Sequence, residues 1–287
     1  MIDLHAHTTA SDGSLSPNEL IELASKIGLS AIGVTDHDTT AGLPPALSAG
    51  KERNVEVVPG IELSVRYPSG RCHLLGYFIQ HDNVKLNGRL EEVLENRRRR
   101  NDRLVQRLQE LGIPITLEMA LQEAGGEVLA RPHFALAMVR LGVVSNPQEA
   151  FDRYLGEEAA AYVPKDKIGF EEGISLIHDA GGLAVLAHPL TLKLSVSELA
   201  DRIPEMKRQG LDGIEALYNR HQPEDNRAFS QIARDFGLVI TGGSDFHGAG
   251  KPGVQLGEVV NEKPLDNEIL RKLREKLLSG QGAVVPG

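Results

Sequence analysis

Short β-rich runs alternate with amphipathic helical patterns along most of this chain, and that alternation constrains its fold more than any other feature. Residues 1–7 read as a first strand. Ser16-Pro17-Asn18-Glu19 then forms a capping box with proline at the first helical position, and Leu20, Ile21, Leu23, Ala24 and Ile27 follow at helical spacing up to Gly28. Residues 30–35, 55–58 and 71–79 read as further strands, with a helix over 41–53. Alternation resumes with a helix at 169–180, a strand at 183–187, a helix at 196–209, a strand at 213–217, a helix at 223–236, a strand at 238–241 and a last helix at 265–279. Repeated βα units of this length require a mainly parallel sheet with helices outside, in an α/β barrel or an open doubly wound sheet. Between them, residues 83–164 show helical patterns and no β run. We read them as an inserted, mainly helical cap between two segments of one barrel domain, 1–82 and 165–287.

Composition removes several classes of function. The 287 residues suffice to bury a core without staples. With 31 Lys+Arg against 40 Asp+Glu the net charge is −9, a poor basis for non-specific binding of duplex nucleic acid. An anionic substrate remains compatible with it, because bound cations invert local charge. The single cysteine, Cys72, excludes a disulfide framework and a Cys-rich zinc module, and it reads as a small buried apolar side chain. No apolar run approaches the ~20 residues that span a bilayer, and the first residues lack a basic signal peptide, so the expectation is a soluble cytoplasmic protein. Aromatic residues make up 4% with no Trp, too little for a long base-stacking track.

The chemistry concentrates at the ends of the expected strands. His5 and His7 lie two apart in the first strand and so share a face. Asp12 follows in the turn Ser11-Asp12-Gly13. Asp36-His37-Asp38 ends the second strand, Glu62 follows the third in Pro59-Gly60-Ile61-Glu62, and His73 begins the fourth. Arg131-Pro132-His133 lies near the end of the helical stretch, Ala187-His188-Pro189 ends a later strand, and Ser244-Asp245-Phe246-His247 repeats the two-residue spacing. Any one of these residues has an ordinary reading as a turn former or helix cap. Strand ends of a parallel α/β fold, however, converge on one face. Their conjunction there points to a polynuclear site, and mixed imidazole and carboxylate ligands suit Zn, Mn or Fe.

These motifs resemble those of the polymerase and histidinol phosphatase (PHP) superfamily: His5-x-His7 with Ser11-Asp12-Gly13, Thr35-Asp36-His37, Gly60-Ile61-Glu62, His73, Arg131-Pro132-His133, Ala187-His188-Pro189 and Ser244-Asp245-x-His247. The resemblance implies a distorted seven-stranded α/β barrel holding up to three divalent ions. It implies that His5, His7, Glu62 and Asp245 bind the first ion. Glu62 would bridge to a second, held also by His73 and His133, and Asp12, His37 and His247 would bind the third. Some relatives have His where Asp12 stands, and the harder ligand favours manganese. The helical insertion, the Ser-Asp-Gly triplet and the Ala-His-Pro motif look most like the stand-alone phosphatases that remove the 3′-phosphate of nucleoside 3′,5′-bisphosphates, some of which also trim short RNA from its 5′ end.

Such chemistry needs an activated water, which two ions bridged by Glu62 would supply near neutral pH. His188 is left to protonate the leaving alkoxide, bind a phosphate oxygen or support the ligands. Asp36 reads as a supporting carboxylate. In the run Arg97–Arg100 a full helical turn is charged, which is ordinarily a solvated face. Arg100 and Arg131 are the candidates for a bidentate contact to a second phosphate. Asn219 and His221, beyond another strand, are candidates to touch base or ribose. Histidinol phosphate or another small phosphomonoester is the alternative substrate. An amidohydrolase, which often bridges its metals with a strand-borne Lys, is disfavoured because Glu62 occupies that role. A non-catalytic metal-binding module of a polymerase is the alternative of another class, and it predicts missing ligands and attached polymerase sequence.

Overall fold

The computed structural model describes residues 1–124, 129–164, 166–260 and 263–281, which fall into two units, Met1–Gly88 with Ile168–Gly287 and Arg89–Lys167. Lys165, where the second barrel segment is expected to begin, lies outside the described residues. The first unit opens with β1 (Ile2–Ala6), α1 (Pro17–Lys26), β2 (Ala31–Val34), α2 (Leu43–Arg53), β3 (Glu56–Arg66) and β4 (Cys72–Tyr77). Helix α1 starts as its sequence dictates. The Ser16 hydroxyl accepts the Glu19 amide, and the Glu19 carboxylate accepts the Ser16 amide at 2.8 Å.

Strand β3 is longer than the sequence pattern predicts. Pro59-Gly60 reads as a strand end, yet the strand runs through it and changes partner there. Residues up to Pro59 pair in parallel with β2, and residues from Gly60 pair antiparallel with β4. Only glycine fits at the changeover, because a Cβ on Gly60 would lie 2.8 Å from Thr35 Cγ2 and 2.9 Å from the Gly76 carbonyl oxygen. As a result Glu62 is a strand residue facing inward, where the sequence alone places it in a loop.

Helix α3 (Val84–Glu110) leads into the second unit, which continues with α4 (Leu117–Ala124), α5 (Arg131–Arg140) and α6 (Pro147–Ala150). This unit has a core of its own built from Leu104, Leu108, Ile113, Phe134, Met138 and Leu155, and its described residues include no strand. The first unit resumes with β5 (Ile168–Gly169), α7 (Phe170–Asp179), β6 (Leu183–Leu186), α8 (Val196–Arg208), β7 (Gly213–Tyr218), α9 (Pro223–Phe236), β8 (Val239–Gly243) and α10 (Asn267–Gln281).

The sheet order is β1-β2-β3-β4-β6-β7-β8, with β5 paired to β3. Ala6 bridges Phe246 just beyond β8, and the His7 amide donates to the Phe246 carbonyl at 2.9 Å, so the seven strands form the nearly closed barrel that the family resemblance implies, rather than an open sheet. One strand departs from the parallel scheme: β4 runs antiparallel to both β3 and β6. Its N-terminal end therefore lies at the rim where the other strands place their C-terminal ends, and His73, the second residue of β4, joins the residues there. Ile2, Leu4, Val58, Leu75, Tyr77, Val185 and Leu273 belong to one buried cluster, and each fully buried large side chain contributes about 1.5–3 kcal/mol. No helix among the described residues is long and apolar enough to cross a membrane.

Candidate metal centre

Period-2 geometry puts Asp3, His5 and His7 on one face of β1 and its continuation. Asp3 is the anchor. Its carboxylate accepts the amides of His5 (3.2 Å), Ser244 (2.9 Å) and Gly257 (2.8 Å) and the Ser244 hydroxyl (2.5 Å), fastening β1 to the segment that carries Asp245 and His247. Gly243 lets that segment approach, since a Cβ there would sit 2.2 Å from His5 Cβ. Asp36 has a similar structural task. It accepts the Thr8 amide (2.7 Å), the Thr8 hydroxyl (2.8 Å) and the Ser11 hydroxyl (2.7 Å), and so holds the turn that presents Asp12.

Three overlapping groups of donors result: His5, His7, Glu62 and Asp245; His37, Glu62 and His73; and His7, Asp12, His37 and His247. Within each group the donor atoms lie within 4.8 Å of one another. Glu62 joins the first two. Its Oε2 lies 3.2 Å from ring nitrogens of His5, His7 and His37, while its Oε1 meets His73 Nδ1 at 2.7 Å and His188 Nε2 at 2.8 Å. Asp245 Oδ1 lies 3.3–3.6 Å from nitrogens of His5, His7 and His247. Asp12, the most exposed member, reaches His247 Nε2 at 3.2 Å.

The charge state follows from this crowding. Burial pushes the Glu62 and Asp245 carboxyls up, but the surrounding imidazoles overcome it and hold both well below the usual carboxylate range. Burial also pushes the His7 imidazole down, and bonds to Asp245 and Glu62 outweigh it and hold it up at about 9. Burial wins at His37, which falls to about 3. Two observations fit cations in this cage. His5 Nε2 and His7 Nε2 lie 3.1 Å apart, both also facing carboxylate oxygens, so several lone pairs meet where only a proton or a metal ion relieves their repulsion. In addition, the buried Nδ1 of His7 makes no hydrogen bond.

Besides Asp3, three participants were not picked out as such in the sequence. Glu215 on β7 is fully buried; its Oε1 meets His5 Nδ1 at 2.8 Å and its Oε2 accepts the His188 amide at 2.7 Å. An acid inside the apolar run Gly213-Ile214-Glu215-Ala216-Leu217 was the available signal, because burying a carboxylate is costly unless it is bonded. Tyr218, the residue before Asn219 at the end of β7, donates its hydroxyl to Asp245 Oδ2 at 2.7 Å, and Lys251 pairs with the same oxygen. Nothing in the local sequence marks Lys251.

His188 follows β6 in a strained conformation (φ 22) and its Nε2 lies 2.8 Å from Glu62 Oε1, although it belongs to none of the three donor groups. His133 lies in the helical unit at the first turn of α5, where its Nδ1 accepts the Ala130 amide at 3.1 Å, and none of the three donor groups includes it. In the same unit Arg100 is buried, and its Nε donates to the Val163 carbonyl at 3.1 Å. Arg131 donates to the Leu155 carbonyl at 2.8 Å and lies over the rings of Phe151 and Tyr162. Asn219 and His221 line a cavity of about 580 Å³ with Arg220, Gln222 and Gln255; His221 is largely buried, its Nδ1 3.2 Å from Asn226 Oδ1.

The model of the PHP domain family matches residues 3–183. A 5′-3′ exoribonuclease of Haemophilus influenzae is 35% identical over 85% of this chain and 89% of its own length. A 3′,5′-nucleoside bisphosphate phosphatase of Chromobacterium violaceum is 31% identical over 96% of this chain and 98% of its own. The solved structure of a protein described as a metal-dependent phosphoesterase, from Bifidobacterium adolescentis, superposes with a TM-score of 0.72 at 32% identity, covering 96% of each chain.

Proposed function

Because the chain belongs to the PHP domain family, we propose that it hydrolyses phosphate esters at the imidazole and carboxylate cage and, more narrowly, removes the 3′-phosphate of nucleoside 3′,5′-bisphosphates. Trimming of short 5′-phosphorylated RNA is the second activity, supported by the likeness to the exoribonuclease. The observation that carries the phosphoesterase reading is the sharing of Glu62 between two donor groups, the arrangement a bridged pair of cations requires.

In this reading His5, His7, Glu62 and Asp245 hold one ion, and Asp12, His37 and His247 hold another with His7 nearby. Glu62, His73 and His188 hold the bridged partner, because His73 and His188 both approach Glu62 Oε1. His188 thereby takes the place that the resemblance gave to His133, and it is no longer a free proton donor. Two to three manganese ions fit this set, Asp12 being the harder ligand. When bound, such ions activate water and offset charge on phosphoryl oxygens.

The chain's own residues do the rest. Glu215 accepts from His5 Nδ1 and so turns His5 Nε2 toward the cage. Asp3 and Asp36 fix the two loops that carry Asp245 and Asp12. Arg100 and Arg131 are proposed as guanidinium donors for a second phosphate. In support, both bond backbone carbonyls and neither has an acidic partner among the described residues, and burial, then the neighbouring Arg131, pushes the Arg100 guanidinium down. The helical unit is proposed as the cap of the barrel, and the protein as cytoplasmic.

The test is a phosphate-release screen with Mn²⁺ across nucleoside 3′,5′-bisphosphates, histidinol phosphate, sugar phosphates and short 5′-phosphorylated RNA. The bisphosphates are expected to turn over fastest. Release from histidinol phosphate alone would replace the substrate assignment, and no release from any ester would remove the phosphoesterase reading.

A further inference from the structure

Asp245 leaves β8 in a left-handed conformation (φ 55), and its two oxygens face different surroundings. Oδ1 turns to the ring nitrogens of His5, His7 and His247. Oδ2 turns away from them. It accepts the Tyr218 hydroxyl at 2.7 Å and pairs with the Lys251 ammonium, while Lys251 Nζ lies 3.2 Å from the Tyr218 oxygen and 5.7 Å from the centre of its ring. Tyr218 is itself wedged between the rings of His188 (5.6 Å) and His221 (5.0 Å). Among the described residues, Lys251 is the only lysine or arginine paired with a carboxylate of the three donor groups.

We infer that Tyr218 and Lys251 are positioning residues that occupy Asp245 Oδ2, so that Asp245 presents Oδ1 alone to an ion in the group formed with His5, His7 and Glu62. This rests on the metal-site reading above and goes beyond it. A carboxylate with both oxygens free rotates or chelates through both, and either motion shifts the donor that the histidines are arranged around. The tyrosine supplies direction without charge. The lysine supplies direction and also places a positive charge behind the ligand. If charge were its main effect, removing it would tighten ion binding; if positioning dominates, removing it weakens binding. The two effects therefore have opposite signs.

The experiment uses the full chain, stripped with chelator and titrated with Mn²⁺ by calorimetry and with Co²⁺ by visible absorption. Tyr218→Phe is expected to weaken one equivalent of bound ion by about tenfold to a hundredfold, the usual effect of removing a partner behind a metal ligand, and to change the Co²⁺ spectrum. Lys251→Met is expected to weaken the same equivalent, and Lys251→Arg to restore it. The double variant should lose less than the two single losses combined, because both groups act on one oxygen. Circular dichroism verifies that each variant is folded, and Lys251, near the surface, provides a readout should Tyr218→Phe unfold. Wild-type uptake with unchanged affinity and spectrum in the variants, or tighter binding by Lys251→Met, overturns this inference alone. A wild-type chain that takes up no ion removes the metal-site reading beneath it as well.

Discussion

Replacing Glu215 removes the one acceptor that serves both His5 Nδ1 (2.8 Å) and the His188 amide (2.7 Å), inside a strand with no access to water. An orphaned buried donor costs roughly 1–3 kcal/mol, so Glu215→Ala, which strands two, is expected to lose about 2–6 kcal/mol of stability before any cavity cost. Glu215→Gln keeps the volume but has one oxygen for two donors. Either the His188 amide or His5 Nδ1 must face the amide nitrogen, and the cost is about 1–3 kcal/mol. If the nitrogen faces His5, the ring is driven to carry its proton on Nε2, the atom that points into the cage, and that tautomer cannot ligate. Thermal unfolding with and without Mn²⁺, calorimetric ion titration and ¹⁵N chemical shifts of His5 measure the three effects separately. The expected order of stability is wild type, then Gln, then Ala, with ion affinity in the Gln variant down about tenfold to a hundredfold. A Gln variant with wild-type melting temperature and wild-type ion affinity would show that Glu215 neither supports the fold nor sets the orientation of His5.

The remaining predictions concern the cage itself. Glu62→Ala and Asp245→Ala are expected to abolish phosphate release while leaving the far-ultraviolet circular dichroism of the barrel intact; measurable turnover in either would contradict the assignment. Ion binding must displace protons, because His7 is held up at about 9 by Asp245 and Glu62 against the opposing effect of burial. Apparent Mn²⁺ affinity is therefore expected to rise with pH through the neutral range and to level off above about pH 9, with proton release visible in buffers of different ionisation enthalpy. An affinity independent of pH over that range would count against it. Chelation is expected to lower the melting temperature, since ion at a hundred times its dissociation constant adds about 2.7 kcal/mol per site, and a melting point indifferent to chelator would argue against ligation by the folded state.

Much of this molecule is legible along the chain. The period-2 placement of His5 and His7, the capping box at Ser16, the strand-end positions of His37, His188 and Asp245, and the loss of β patterning in the helical segment are local signals. They lead to an α/β fold and to most of the donor residues, and the motifs that resemble the PHP superfamily lead on to the barrel. Glu62 is legible as a residue type but not as a strand position, because Pro59 and Gly60 imitate a strand end that the paired backbone overrides. The reversed direction of β4 is equally silent, since alternation along a strand is the same in both directions, yet it is what brings His73 to the rim.

The roles within the cage are of another kind. Residue type and spacing declare that a histidine or acid stands at a strand end, because local geometry and solvation act on neighbours in sequence. They cannot declare which oxygen of Glu62 meets His188, that Glu215 stands behind His5 from 210 residues away, or that Lys251 and Tyr218 share one oxygen of Asp245. The sequence by itself determined the element types, the alternation and the inventory of donors. Only the closed barrel decided which donors meet, because contacts between strand ends distant along the chain depend on sheet order, register and close approach at positions such as Gly60 and Gly243.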